Sequence, residues 1–253
     1  MAKPKPSPSL AKPKKTPKSS EPEPDTLSPA ERAASDFQAT VGFYSLIIVP
    51  LLVALLVFPL AGFRESFHLD ALPTKLTPHI VLLVLALSPP HLFYYWTWTH
   101  AVSWYELCTT RGWGVPYKTF ALVAHGIKAF QFASLAIWAY SRVEWQDVIT
   151  AHPLKLVVAA QLFVVGQVLN AKVYEKIGEA GVYYGTRLGV KVPWVYGFPF
   201  SVVPHPQYFG ATLSFAGLFI ALSTENAVRE GVYIPMIAVA IMYAFSSWVE
   251  ANL

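Results

Sequence analysis

The chain contains several apolar stretches, nearly free of charge, that are long enough to cross a lipid bilayer. A bilayer core about 30 Å thick needs about 20 residues of helix, and a backbone in lipid must satisfy its own hydrogen bonds. Only 13% of the residues are charged and the mean hydropathy is +0.42, which is typical of membrane proteins. We therefore predict an all-α polytopic transmembrane bundle of about five to six spans. The candidate stretches are residues 41–63, 78–98, 117–140, 154–173, 206–223 and 232–249.

The N-terminal residues have the opposite composition. Residues 1–35 are rich in Pro, Lys, Ser and Glu and carry few large apolar side chains, so they cannot bury enough surface to fold. They also lack the apolar segment of a cleavable signal peptide. We expect a disordered, Lys/Pro-rich cytosolic tail over residues 1–35 and a membrane-embedded domain over residues 36–253.

The distribution of Lys and Arg predicts which side of the membrane each connection faces. With six spans, the tail, two loops and the C-terminus share one side and hold 13 Lys and Arg, against 5 on the opposite side. The positive-inside rule then places both termini in the cytosol. Much of the net charge of +4 comes from the tail, and a basic tail beside lipid favours an anionic membrane surface over nucleic acid. The oligomeric state stays open.

Several kinds of catalytic site find no support in the sequence. It has neither a Gly-x-x-x-x-Gly-Lys phosphate loop nor a His-Glu-x-x-His zinc motif. It also has no Gly-x-Ser-x-Gly elbow of serine hydrolases. The seven histidines lack metal-ligand spacing, and the single Cys108 allows no intramolecular disulfide. We therefore expect no metal site.

Polar residues inside the spans are candidates for function or for helix association. His125 and Lys128 share one face of the third span, where an ionisable residue costs at least about 2.5 kcal/mol on insertion scales. A functional pair and a snorkelling lysine over a hydrogen-bonded histidine both remain open. In the fourth span Gln161, Gln167 and Asn170 are expected to join helices through hydrogen bonds.

The stretch from residue 197 to 223 combines a proline-rich turn with a helix of small residues. Because Pro199 and Pro204 do not fit a helix interior, the helix should begin near Pro206. His205 then lies at the N-terminus of that helix, beside its unpaired N–H groups. The small residues that follow at helical spacing should let another helix approach closely: Gly210, Ser214, Gly217 and Ala221.

Three motifs in the last third of the chain resemble a known enzyme family. They are GVYYGTRLG at 181–189, GFPFSVVPHPQYFG at 197–210 and WVE at 248–250. This pattern resembles the membrane phospholipid N-methyltransferases, most closely the plant and fungal enzymes acting on phosphatidyl-N-methylethanolamine. The wider family includes the isoprenylcysteine carboxyl methyltransferases. The resemblance implies methyl transfer from S-adenosyl-L-methionine to a phospholipid headgroup amine, giving phosphatidylcholine, in the endoplasmic reticulum membrane.

The resemblance also implies which residues form the site. It implies cofactor binding by a set of residues from three spans: Gly166, Pro206, Tyr208, Gly210 and Glu250.

The chemistry of the reaction suggests roles for three more residues. Arg187 and Lys191 are candidates for holding the lipid phosphate or the cofactor carboxylate. His205 is the candidate acceptor of the substrate's ammonium proton. Two other functions stay open, namely carboxyl methylation of prenylated cysteine and lipid binding without catalysis.

Overall fold

The computed structural model describes residues 28–57, 62–73, 75–193 and 195–253, and within them the chain is helical and without strands. Most of the predicted tail, residues 1–27, lies outside the described residues. The first helix begins at Pro29, so residues 29–35 of the range assigned to the tail are helical. A capping box explains this start, because the Ser28 N–H donates to Glu31 Oε2 and the Glu31 N–H to Ser28 Oγ.

The α-helices are numbered in chain order over the described residues. They are α1 (Pro29–Val57), α2 (Pro78–Leu87), α3 (Pro90–Thr99), α4 (Ala101–Thr110), α5 (Pro116–Arg142), α6 (Trp145–Ile149), α7 (Pro153–Val182), α8 (Pro206–Ala221), α9 (Glu225–Glu230) and α10 (Tyr233–Asn252). Two short 3-10 turns, Glu65–Phe67 and Leu69–Ala71, lie between α1 and α2.

The prediction of an all-α polytopic membrane protein is confirmed. Four segments of the described residues are long and apolar enough to span a bilayer: α2 with α3, α5, α7 and α10. The other two predicted spans are less complete. Helix α1 ends at Val57, before residues 58–61, which are outside the description. Helix α8 has 16 residues, about 24 Å at 1.5 Å per residue, so it is shorter than the bilayer core.

Proline sets several helix starts, as the sequence predicts. Pro206 opens α8, and Pro90 opens α3 after the break at Ser88 and Pro89. Proline suits the first helical position because its missing N–H would be unpaired there in any case. The turn before α8 therefore ends where the proline pattern predicts, with His205 as its last residue.

Helix α7 extends further than its apolar stretch predicts. It runs to Val182, with a break at Gly178, where φ is +63°. Residues 174–182, which follow the predicted fourth span, are therefore also helical. Lys172 and Glu175 pair on the exposed side of α7 at 2.6 Å, while Val173 is buried in an aromatic cluster on the other side. The extra turns thus form a half-buried amphipathic helix end.

Helices α7 and α8 form the closest pair in the bundle, because glycines let their backbones touch. A Cβ on Gly166 would lie 2.2 Å from the Gly210 carbonyl oxygen, and one on Gly217 would lie 2.4 Å from the Ala159 carbonyl oxygen. The predicted close approach along the small-residue stripe is confirmed. Gln167 Nε2 adds a hydrogen bond of 2.9 Å to Ser214 Oγ, as expected for an amide between helices.

The turn before α8 is fixed by helix α1. The Phe198 N–H donates to Asp36 Oδ1 at 3.3 Å. Gly197 has a φ of +92°, and a Cβ there would lie 2.3 Å from the same carboxylate, so only glycine fits this turn. Helix α10 packs against both α8 and α2. These contacts bring the end of α10 to the start of α8.

Candidate active site

The C-terminal end of α10 meets the start of α8 around one carboxylate. The Tyr208 hydroxyl donates to Glu250 Oε1, and His205 Nδ1 lies 3.9 Å from Glu250 Oε2. The side chains of His205 and Glu250 are 28% and 17% exposed. A partly buried carboxylate that accepts from a phenol and faces an imidazole can bind hydroxyl or ammonium groups of a ligand.

Tyr184 extends this cluster from the connection between α7 and α8. Its hydroxyl lies 3.3 Å from the Tyr208 hydroxyl, and its ring stacks on Phe120 with 4.8 Å between centroids. Burial raises the pKa of Tyr184 well above its ordinary value of 10.0, so the phenol keeps its proton and remains a donor. Its φ of +59° is in the left-handed region, which is uncommon for an aromatic residue and often marks a functional site.

A cationic and aromatic pair lies next to Tyr184. The guanidinium carbon of Arg187 is 4.1 Å from the centre of the Trp98 ring, a cation–π distance, and that ring is 5.0 Å from the ring of Tyr184. Arg187 is close enough for its charge to act on Glu250. The indole Nε1 of Trp98 is buried and has no hydrogen-bond partner among the described residues. This indole N–H is therefore available to donate a hydrogen bond to a ligand.

The environment of His205 keeps its ring neutral near pH 7. Burial lowers the pKa of His205 below its ordinary value of 6.5, because desolvation disfavours the charged form. The nearby Glu250 carboxylate, at 3.9 Å, does not reverse this direction. A neutral imidazole beside a carboxylate can accept a proton from a bound ammonium group.

Besides a groove between α8 and α10, two cavities meet at this cluster. The first, which we call the loop cavity, has a volume of about 160 Å³ and is lined by the end of α7, the turn before α8, Trp98 and Glu250. The second, which we call the α5 cleft, has a volume of about 250 Å³ and lies between α5 and the α7–α8 pair. The two share Val182, Tyr184, Gln207 and Tyr208 as lining residues, so the tyrosine pair stands between them.

The structure brings together some of the predicted site residues. Glu250, Tyr208 and His205 contact one another, and His205, Tyr208, Glu250 and Pro206 all line the loop cavity. Arg187 lies beside them, over Trp98. Their catalytic and binding roles stay predictions.

Three predicted residues lie apart from the loop cavity. Gly166 and Gly210 face each other at the α7–α8 contact, so their role there is close packing. Lys191 is exposed and does not line the loop cavity.

Sequence reasoning missed two residues of the cluster. Tyr184 lies within the motif at 181–189, so the motif marked its neighbourhood without singling out its side chain. Trp98 lies in a distant span, among other aromatic residues that resemble a headgroup-layer belt, and no local signal distinguishes it. Only the packing of α3 against the connection before α8 brings its ring to Tyr184 and Arg187.

Comparison with known proteins gives consistent matches. The family model for phospholipid methyltransferases matches residues 154–253. The phosphatidyl-N-methylethanolamine N-methyltransferase of Arabidopsis thaliana is 38% identical over 134 residues, which are 53% of this chain and 74% of that protein. The protein of that name from Emericella nidulans is 33% identical over 110 residues, or 43% of this chain and 54% of its own.

A third relative, from another organism, matches over a shorter part of the chain. The phosphatidyl-N-methylethanolamine N-methyltransferase of Saccharomyces cerevisiae is 45% identical over 58 residues, which are 22% of this chain and 28% of that protein. No solved structure matches significantly. The family model covers the turn before α8 and the end of α10, where the carboxylate cluster lies. With the coverage of the Arabidopsis protein, these matches show that this chain belongs to the phospholipid methyltransferase family.

Proposed function

We propose that this protein methylates the headgroup amine of phosphatidyl-N-methylethanolamine and of the dimethylated lipid, giving phosphatidylcholine, with S-adenosyl-L-methionine as methyl donor. The observation that carries the proposal is the cluster of Glu250, Tyr208 and His205 between a loop cavity and a cleft among the spans. The names of the relatives supply the acceptor. We further propose an endoplasmic reticulum location with both termini in the cytosol.

The loop cavity, together with Arg187 beside its lining residue Trp98, has groups that suit the proposed cofactor. The unpaired Nε1 of Trp98 and the guanidinium of Arg187 can bind a carboxylate. Glu250 can accept from ribose hydroxyls or from an ammonium group. The side chains of Tyr184 and Tyr208 line this cavity, and aromatic rings attract a cationic sulfonium. When bound, S-adenosyl-L-methionine supplies an electrophilic methyl group on a cationic sulfur.

The protein's own contribution is positioning and proton acceptance. An amine reacts only when its lone pair is free, and neutral His205 is the group near Glu250 that accepts the ammonium proton. The phenols of Tyr184 and Tyr208 hold the carboxylate and separate the two cavities. Holding two reactants in line and away from water accounts for a large part of such a rate enhancement.

The test is a methylation assay on purified protein in mixed micelles with labelled methyl donor. Phosphatidyl-N-methylethanolamine, the dimethylated lipid and farnesyl-cysteine are supplied separately. We expect label on both phospholipids and none on farnesyl-cysteine. Label on farnesyl-cysteine alone, or on no acceptor, would overturn the proposal.

A matched pair of variants tests the role of the carboxylate. Glu250→Gln removes a charged acceptor, so cofactor affinity should fall by about 10- to 100-fold, since hydrogen bonds to charged groups contribute about 1.5–3 kcal/mol. The control Glu225→Gln changes an exposed carboxylate paired with Arg229 on α9 and should leave affinity unchanged. Equal cofactor affinity in the two variants would contradict the role of Glu250.

A further inference from the structure

Lys128 is a basic residue near the middle of a predicted membrane span. Its ammonium group donates to Gln131 Oε1 at 2.9 Å and to Tyr243 Oη at 2.5 Å. Within the described part of the chain, no carboxylate lies within 4.0 Å of it. Because Lys128 is near the middle of α5, a snorkelling lysine at a headgroup layer does not describe this placement. A lone cation at such a depth costs about 2.5–3.5 kcal/mol on insertion scales.

The surroundings of Lys128 are organised by another helix. Gln131 Nε2 donates to the Leu87 carbonyl at 2.6 Å, which turns Gln131 Oε1 toward Lys128. The Leu87 carbonyl is available because the His91 N–H bonds instead to the Ser88 carbonyl at 3.1 Å, at the proline break between α2 and α3. The position of Gln131 Oε1 is therefore set by this hydrogen bond to the backbone and does not depend on Lys128.

Lys128 keeps hydrogen-bonding capacity for a ligand. An ammonium group has three donors, and Gln131 and Tyr243 accept two of them. The rings of Tyr243 and Phe215 lie 5.1 and 5.7 Å from the nitrogen and stabilise the charge without neutralising it. One N–H donor of the ammonium group remains on the wall of the α5 cleft.

The cleft is open toward the bilayer on the side where Lys128 lies. His125 and Phe132, on the same stretch of α5, also line the cleft and are exposed, Phe132 to 45%. At the other end the cleft reaches the Tyr184–Tyr208 pair. The ring of Tyr243 connects the two regions, since it lies 6.0 Å from the ring of Tyr208 and its hydroxyl accepts the hydrogen bond from Lys128. A lipid entering sideways would meet Lys128 before the tyrosine pair.

We propose that Lys128 binds the phosphodiester of the phospholipid substrate in the α5 cleft. This inference rests on the proposed function and names the group that recognises the lipid. In such a headgroup the amine is only a few bonds from the phosphate. A cation that attracts the phosphate repels the ammonium, so Lys128 orients the amine away from itself, toward the tyrosine pair and the Glu250 carboxylate. A water-soluble cofactor would enter from the aqueous phase and not through an opening that faces the bilayer.

The bundle offers phospholipids a second opening that lacks this recognition. A groove between α8 and α10, lined by Thr212, Ala240 and Ala244, also reaches Tyr208 and His205. Among the described residues that line it there is no Lys or Arg. This groove can accommodate acyl chains, but it supplies no permanent cation for a phosphate.

Binding without turnover tests the inference. The full chain in nonionic detergent, without methyl donor, is titrated with dihexanoyl phosphatidyl-N-methylethanolamine and with dihexanoylglycerol, which lacks the phosphate. Tryptophan fluorescence gives both dissociation constants. The wild type should bind the phospholipid at least tenfold more tightly than the diacylglycerol. In Lys128→Met this ratio should fall about tenfold, and Lys128→Arg should restore part of it.

Controls separate this inference from folding and from the cofactor site. Lys118→Met removes an exposed lysine of the same helix and should leave the ratio unchanged. Methionine fills a lysine site without a buried charge, and a thermal melt checks that the variant is folded. An unchanged ratio in Lys128→Met would overturn the inference. Weaker binding of S-adenosyl-L-methionine with an unchanged ratio would also overturn it, by assigning Lys128 to the cofactor carboxylate.

The same titration distinguishes failure of the inference from failure of the proposed function. A wild type that discriminates by phosphate through Lys128 but labels no phospholipid would refute the methylation and keep the phosphate site. A wild type that labels the phospholipids while Lys128→Met discriminates normally would refute the phosphate site and keep the methylation.

Discussion

The two sides of helix α8 are built on different principles. Toward α7, backbone touches backbone, because glycines stand at positions 166, 210 and 217. Toward α5, rings and polar side chains line a cleft of about 250 Å³ that contains Lys128, which has no carboxylate within 4.0 Å among the described residues. Lipid provides no hydrophobic force between helices, so close packing must come from small residues. Where α8 lacks that packing partner, space is left for a ligand. One side thus fixes the helix, and the other is the side that we propose receives the substrate.

The largest expected effect comes from disturbing the packed side. In Gly166→Ala the new Cβ would lie 2.2 Å from the Gly210 carbonyl oxygen and 2.8 Å from the Ser214 nitrogen. Because both are backbone atoms of one helix, α7 and α8 must separate, and we expect a loss of about 1–3 kcal/mol in the free energy of unfolding. Denaturant unfolding in mild detergent measures it.

A second glycine in a span serves as the control for this change. A Cβ on Gly126, in α5, would meet nothing within 4 Å. Gly126→Ala should therefore raise the free energy of unfolding by about 0.5–1 kcal/mol, because alanine favours helix over glycine. If both alanine variants changed stability alike, the contrast between the two sides of α8 would be wrong.

A smaller effect is expected where the two sides meet. Tyr208→Phe removes the hydroxyl that donates to Glu250 and lies near that of Tyr184. Leaving buried polar groups without a partner costs about 1–3 kcal/mol, so we expect methyl transfer to fall about tenfold. Steady-state assays with the mono- and dimethylated lipids measure it. Tyr140→Phe, at an exposed site on α5, is the control, and an equal loss there would contradict the role of Tyr208.

The smallest expected effect is a pH dependence of stability from His205. Its pKa in the folded protein is below the ordinary 6.5 because of burial. As the pH falls below about 6.5, the unfolded chain gains this proton before the folded one does, so the folded state loses stability. When the pH is lowered from 7.5 to 5.5, the melting temperature of the wild type should therefore fall further than that of His205→Gln. A larger loss in the variant would show that the pKa is raised instead.

Much of the architecture follows from local sequence rules. Proline positions predict the starts of α3 and α8, and the apolar stretches predict the four segments that qualify as spans. The sidedness of the loops predicts that His205 and Glu250 lie at the same membrane face, and the structure brings them to 3.9 Å. These features depend on the residue itself or on its place along a span, so a single sequence contains them.

Other features depend on contacts between distant segments. The direction that Gly166 faces follows from the rotation of α7 against α8, which the spacing of small residues on one helix does not determine. The left-handed backbone of Tyr184 and the ring of Trp98 become part of the site only through packing across the bundle. The division into two cavities likewise depends on where the rings of different helices meet.

The proline break between α2 and α3 has a consequence far from its own helix axis. An uninterrupted helix would direct the amide hydrogen of residue 91 to the Leu87 oxygen, and the side-chain amide of Gln131 would lose its anchor. Replacing Pro89 and Pro90 with alanine would make α2 and α3 continuous, and the side-chain amide of Gln131 on α5 would then be free to rotate away from Lys128. The interruption of one transmembrane segment thus determines, through Gln131, where the ammonium group of Lys128 lies in another.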